Sequence, residues 1–113
     1  MKVRVIKDYP SNWEAKAFPT FPKGTAVTIT GEEDTDFRHW YPCKIDGYET
    51  FVPENFIYKG KLKRDYNPTE LTQKTGDVLT VQEIINAWLL VVNDKGVTGW
   101  ITAEAVVSIE REG

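Results

Sequence analysis

Two stretches of this chain carry the same punctuation in the same order, and that repetition narrows the available folds more than any other feature. Asp8-Tyr9 is matched by Asp65-Tyr66 at a spacing of 57 residues, and Gly24 with Val27-Thr28-Ile29 by Gly76 with Leu79-Thr80-Val81 at 52. Trp40 is matched by Trp88 at 48, and Phe51-Val52 by Trp100-Ile101 at 49. The spacing changes only inside stretches rich in Gly, Pro, Asn or acidic residues, where loops accept insertions. Repeated order of this kind is the mark of a unit built twice. Length alone suggests one domain, and units of about 55 residues sit near the lower size limit for folding on a hydrophobic core without staples. Only Tyr58-Lys59-Gly60 separates the two patterns, so the expectation is a domain over 1–58 and another over 61–110, packed together through a short linker.

The clearest local element is Trp40 to Ile57. Asp46-Gly47 is a strong two-residue hairpin signal, because both residues tolerate the positive φ of a type I′ turn. The strand leaving the turn places Tyr48, Thr50 and Val52 on one face and Glu49 and Phe51 on the other. Pro53 stops it by withholding a backbone donor, and Pro53-Glu-Asn-Phe56 is read as one short helical turn that brings Pro53 and Phe56 together at the surface within reach of Trp40. In the second copy Trp88 opens the strand through Val92, Asp94-Lys95-Gly96 turns it, and Gly99-Trp100-Ile101 leads into Thr102-Ala-Glu-Ala-Val106. The remaining strands are read at 3–7, 25–30, 62–66, 78–85 and 106–109. No window of 11 residues keeps the i, i+3, i+4, i+7 spacing of an amphipathic helix, so the chain reads as all-β. The stretch 11–23 carries Trp13, Phe18, Phe21 and two prolines without any period, the pattern of a functional loop or one packed back on the fold.

Charge and composition exclude several classes. A net charge of -3 lacks the basic footprint that phosphate binding needs, so neither nucleic acid nor a membrane surface is an expected partner. One cysteine leaves no internal disulfide framework. The first residues, Met-Lys-Val-Arg-Val-Ile-Lys-Asp, hold no apolar run of seven or more, so no leader or spanning segment is expected, and the cytoplasm is the default location.

The ordered set now on the page, Asp-Tyr, then Lys23-Gly24 or Thr75-Gly76-Asp77, then an alternating strand, then Trp, then Phe-Val-Pro-Glu-Asn-Phe or Gly-Trp-Ile-Thr-Ala-Glu-Ala, resembles the signature of Src-homology-3 (SH3) domains. It covers nearly the whole chain and is most similar to small bacterial proteins built of two such domains. The resemblance implies two SH3-like small β-barrels of five short strands each and a groove for extended, proline-rich segments. Such segments are already in the polyproline II form and dock between aromatic rings at little entropic cost. The groove positions it implies in the first unit are Tyr9, Trp40, Pro53 and Phe56, with Asn55 alongside. The acidic patch that pairs with an Arg or Lys of a ligand would be Glu32, Glu33, Asp34 and Asp36, with Glu14 nearby. The chain departs from the family where it has Lys7 and Arg64, since a tyrosine usually stands two residues before the Asp-Tyr tyrosine. The second unit departs further: Thr102 and Ala105 stand where the first has Pro53 and Phe56, leaving Tyr66 and Trp88.

Of the 14 aromatic residues, 11 lie at or before Tyr58, which favours the first unit as binder and the second as scaffold or degenerate binder. A core of this size cannot bury 11 rings, and exposed aromatic clusters mark interaction sites. His39 and Cys43 are the only residues of their kinds. Pro42 biases Tyr41 away from the helical region, and in a strand residues four apart lie about 13 Å from one another, so no thiol catalysis is expected. Two soft ligands do not fill a zinc site, the run Glu32 to Asp36 lacks calcium-loop spacing, and no cofactor is read. Lys61-Leu-Lys-Arg64 is a strand edge. The expected function is a non-catalytic peptide-binding adaptor, monomeric or weakly dimeric, docking proline-rich or basic segments. The alternative is an assembly protein that uses the same aromatic face to join copies or dock on a larger protein. A third reading is a cage for a methylated ammonium held by cation–π attraction.

Overall fold

The computed structural model describes residues 1–9 and 17–109, and within them the chain is all-β. In order the strands are β1 (Lys2–Val5), β2 (Val27–Ile29), β3 (Trp40–Ile45), β4 (Tyr48–Pro53), β5 (Ile57–Tyr58), β6 (Lys61–Leu62), β7 (Val78–Ile85), β8 (Trp88–Val92), β9 (Thr98–Thr102) and β10 (Val106–Ser108). Single 3-10 turns at Glu54–Phe56 and Ala103–Ala105 are the helical elements. No helix in the described residues is long and apolar enough to cross a membrane.

The chain forms two compact units that do not follow the sequence repeats. One is continuous, Phe18–Pro68; the other is split, Met1–Ala17 with Thr69–Gly113. The split unit holds a five-stranded sheet in the order β10-β1-β7-β8-β9. Alternation explains β1: Val3 and Val5 are buried while Lys2 and Arg4 face out, the two-residue period of a half-buried strand. Val3 is registered on Leu79, and with Val5, Leu89, Val91 and Ile101 these residues form the core. The continuous unit has the sheet β2-β3-β4 and the hairpin β5-β6. Asp46 and Gly47 take φ of 49° and 83° and join β3 to β4 with Ile45 opposite Tyr48, as the Asp-Gly pair predicts. Strand β4 ends at Pro53, followed by the expected single turn.

The first strand of each sequence repeat completes the unit made by the rest of the other. Val5 N donates to Asp77 O at 2.9 Å and Gly76 N to Val5 O at 2.7 Å; Leu62 N donates to Thr25 O at 2.9 Å and Gly24 N to Leu62 O at 2.7 Å. Asp8 Oδ1 accepts from Thr75 N at 2.8 Å, and Asp65 Oδ1 accepts from Lys23 N at 2.8 Å. Tyr9 exchanges backbone bonds with Gln73, and Tyr66 with Phe21. These bonds recur in both units, with first strands exchanged between the sequence repeats.

The connection after Tyr58 accounts for the exchange. Lys59 and Gly60, at φ 52° and 75°, form a two-residue hairpin turn that sets Lys61 opposite Tyr58. In the split unit the corresponding last and first strands, β10 and β1, are also antiparallel neighbours. A connection this short therefore folds β6 directly back onto β5, and the place it would have taken in the split unit goes to β1. Residues 59–60, expected to be a linker between domains, are a turn inside the continuous unit, and the expected boundary at 58/61 falls within a hairpin.

Candidate functional site

The exchange rearranges the expected groove residues. Tyr66, not Tyr9, joins the Trp40 set: its ring meets Phe56 edge-on with centroids 5.4 Å apart, and its hydroxyl donates to the Phe51 carbonyl at 2.6 Å. Trp40 lies across the ladder from Pro53. Phe56 comes from the 3-10 turn, which Glu54 N anchors by donating to His39 O at 2.7 Å. Arg64, which stands where the resemblance implies a tyrosine, lies over Phe56 with its guanidinium 4.1 Å from the ring centroid. That face of the ring is capped by a cation from the chain itself.

The rings were expected at the surface, but they are buried. Trp40 is 5% exposed, Phe56 2% and Tyr66 3%, and Pro53 is fully enclosed, whereas Asn55 is exposed. The surplus of aromatic residues does reach solvent, at other positions: Tyr48, Phe51 and Tyr58, the last 65% exposed. The reason is local. Trp40 opens β3 and Phe56 follows β4 by one turn, so both close the end of a small unit whose aliphatic core is short.

The acidic run is partly committed to its own loop. Asp34 Oδ1 accepts from Asp36 N at 2.7 Å and Phe37 N at 3.0 Å, the local side-chain turn that aspartate favours, and Glu33 Oε2 accepts from His39 N at 2.7 Å. Glu32 and Asp36 are exposed. Glu14 and Trp13 lie outside the described residues.

In the split unit Tyr9 joins the core cluster that contains Ala105, with half-buried Trp88 packed against it. The Tyr9 hydroxyl donates to the Glu70 carboxylate. Burial first, then that carboxylate, pushes the Tyr9 phenol well above its usual value, while Thr102 opposes them. Burial also holds Glu70 above the usual carboxylate range, against the lowering effect of the Tyr9 hydrogen bond. Lys7 pairs with Glu104 at 3.5 Å between exposed side chains, a contact worth little. Glu70 and Thr102 were not singled out as partners of Tyr9 in the sequence, because Glu70 sits in an irregular loop that carries no period.

His39 and Cys43 do not make a catalytic pair. His39 is exposed in a turn at φ 69°, and Cys43 is buried, its thiol pushed up to about 11 by desolvation, the wrong direction for a nucleophile. Among the described residues no three His, Cys, Asp or Glu side chains are gathered to hold a metal ion.

Residues 59–109 match the family model described as the variant SH3 domain. No curated protein and no solved structure matches the chain. The matched segment spans both compact units: Lys61–Leu62 and Tyr66 lie in the continuous unit, and the strands from Val78 to Ser108 in the split one. SH3 domains are in general non-catalytic protein-interaction modules that take proline-rich peptides.

Proposed function

We propose that the chain is a non-catalytic, cytoplasmic protein-interaction module made of two units of the SH3 type, and that the continuous unit docks extended proline-rich or basic segments. The observation that carries this reading is the convergence of Tyr66, Trp40, Pro53 and Phe56 in one unit, assembled from both sequence repeats. These rings form the floor of the groove, Asn55 and Arg64 its rim, and the exposed carboxylates of Glu32 and Asp36 select a basic ligand residue. The split unit, with Thr102 and Ala105 at the corresponding positions, serves as scaffold. An interface of this size binds with about micromolar affinity.

The alternative, an assembly role, is favoured by the burial of those rings and the exposure of Tyr58 and Phe51. A residue-resolved NMR titration with proline-rich peptides, with and without flanking arginines, separates the two. Shifts centred on Asn55, Phe56 and Tyr66 that depend on arginine support the peptide site. No shift in residues 18–68 with millimolar peptide, together with a concentration-dependent sedimentation coefficient, supports assembly.

A further inference from the structure

We propose that the place between β7 and β10 in the split unit is a donor-strand site, and that its second occupant, besides the chain's own β1, is β1 of another copy, which produces a reciprocal strand-exchanged dimer. The site is defined by pairing on both sides: Val3 and Arg4 are registered on Ser108 and Val107 of β10, and on Leu79 and Val78 of β7. Val3 and Val5 seal the core, 3% and 1% exposed. Without β1 the sheet is cut into β10 alone and β7-β8-β9, each with an unpaired edge, the surface on which strand addition operates.

The chain has two candidate donors, and only one is free to exchange. Strand β6 is tied to β5 by the two-residue turn Lys59-Gly60 and pairs where that turn places it. Strand β1 has no such tether to the split unit. It is followed by residues that lead into the continuous unit, and the split unit resumes at Thr69. The interactions that hold the donor end, Val5 with Asp77 and Gly76, Asp8 with Thr75, and Tyr9 with Gln73, all lie within the split unit. A donor from a second copy makes the same set, so the choice between own and foreign strand depends on concentration and not on contact chemistry. Tandem-repeat chains are prone to this exchange, which is a low-cost route to dimers. The connection through the continuous unit, Phe18–Pro68, keeps the chain's own β1 at an effective concentration of at most about millimolar, so the closed monomer dominates in dilute solution.

The test co-refolds two full-length single-substitution variants, Lys2→Cys and Thr80→Cys, under reductant and then oxidises them. These two positions are exposed and face each other across the β1–β7 ladder, while Cys43 is buried. Each variant alone lacks the partner thiol, so only inter-copy exchange brings the two together. The expected result is a mixed disulfide dimer that increases about a hundredfold between roughly 10 µM and 1 mM refolding concentration. It should be absent when the two variants are folded separately before mixing. No mixed dimer at 1 mM overturns the proposal, and so does a mixed dimer no more abundant than the symmetrical disulfides of either variant.

Discussion

The two compact units share a set of backbone bonds and differ in the sheets and side chains they build around it. Each bonds the first strand of a sequence repeat to a turn glycine, at φ 95° for Gly24 and 99° for Gly76, each uses an Asp-Tyr pair to grip the same loop, and each has a 3-10 turn directly after a hairpin, after β4 in one and β9 in the other. Beside those bonds the continuous unit buries Trp40, Pro53, Phe56 and Tyr66, with Tyr66 edge-on to Phe56 and Arg64 over the Phe56 ring. The split unit puts Trp88, Thr102 and Ala105 at the same places and ties its tyrosine to Glu70. The two units thus hold the same backbone bonds around their turn glycines and Asp-Tyr pairs, while side chains at two positions, Pro53 against Thr102 and Phe56 against Ala105, set their ends apart.

The largest expected effect tests that contrast at the tryptophans. Trp40→Ala removes a buried ring and is expected to cost about 3–5 kcal/mol by denaturant unfolding. Trp88→Ala, at a half-buried site, should cost distinctly less; equal losses would erase the distinction. Next comes Gly99, which has no counterpart in the continuous unit, where Thr50 precedes Phe51. A Cβ on Gly99 would lie 2.8 Å from Leu71 Cγ and 3.0 Å from the Thr69 carbonyl, because residues 69–71 pair alongside Trp100. Gly99→Ala is expected to destabilise by about 1–3 kcal/mol, and Thr50→Ala by less, as read from midpoint shifts at constant denaturant slope. Tyr66→Phe loses the bond to the Phe51 carbonyl and should cost about 1 kcal/mol.

The smallest effect is on pH dependence. Burial holds Glu70 above the usual carboxylate range, so the folded state keeps its proton longer than the unfolded chain. Its contribution is present at acid pH and is lost as pH rises from about the unfolded value through the folded one. Asp8, lowered first by the Thr75 backbone amide, works in the opposite sense: its contribution is present above its unfolded value and lost as pH falls through the folded one. In Glu70→Gln the decline as pH rises through the folded Glu70 value should vanish, and the acid-side loss due to Asp8 should remain. An unchanged pH profile would show that burial does not hold Glu70 above its unfolded value.

Much of the strand pattern was legible in the sequence because it depends on local chemistry: the positive φ at Asp46-Gly47, the proline that ends β4, and alternation in β1. The repeat was legible too, since the same residues recur in order. Strand partnership was not, because the repeat says which segments are alike and not which ones pair. The deciding feature was the shortness of Lys59-Gly60, which reads as a linker in the linear sequence and as a hairpin turn once β5 and β6 are recognised as neighbours. The same exchange moved Tyr66 to the Trp40 set and Tyr9 away from it. Residue type flagged Trp40 and Phe56 as special but not as buried, since an aromatic surplus says that some rings are exposed without saying which.

Strand partnership is tested most directly by backbone nuclear Overhauser contacts in the intact chain at dilute concentration. The exchanged fold predicts Val5 beside Gly76 and Asp77, Val3 opposite Leu79, and Leu62 beside Gly24 and Thr25. Contacts from Val5 to Gly24 and Thr25, with Leu62 moved to Gly76 and Asp77, would show two independent tandem units and contradict the account.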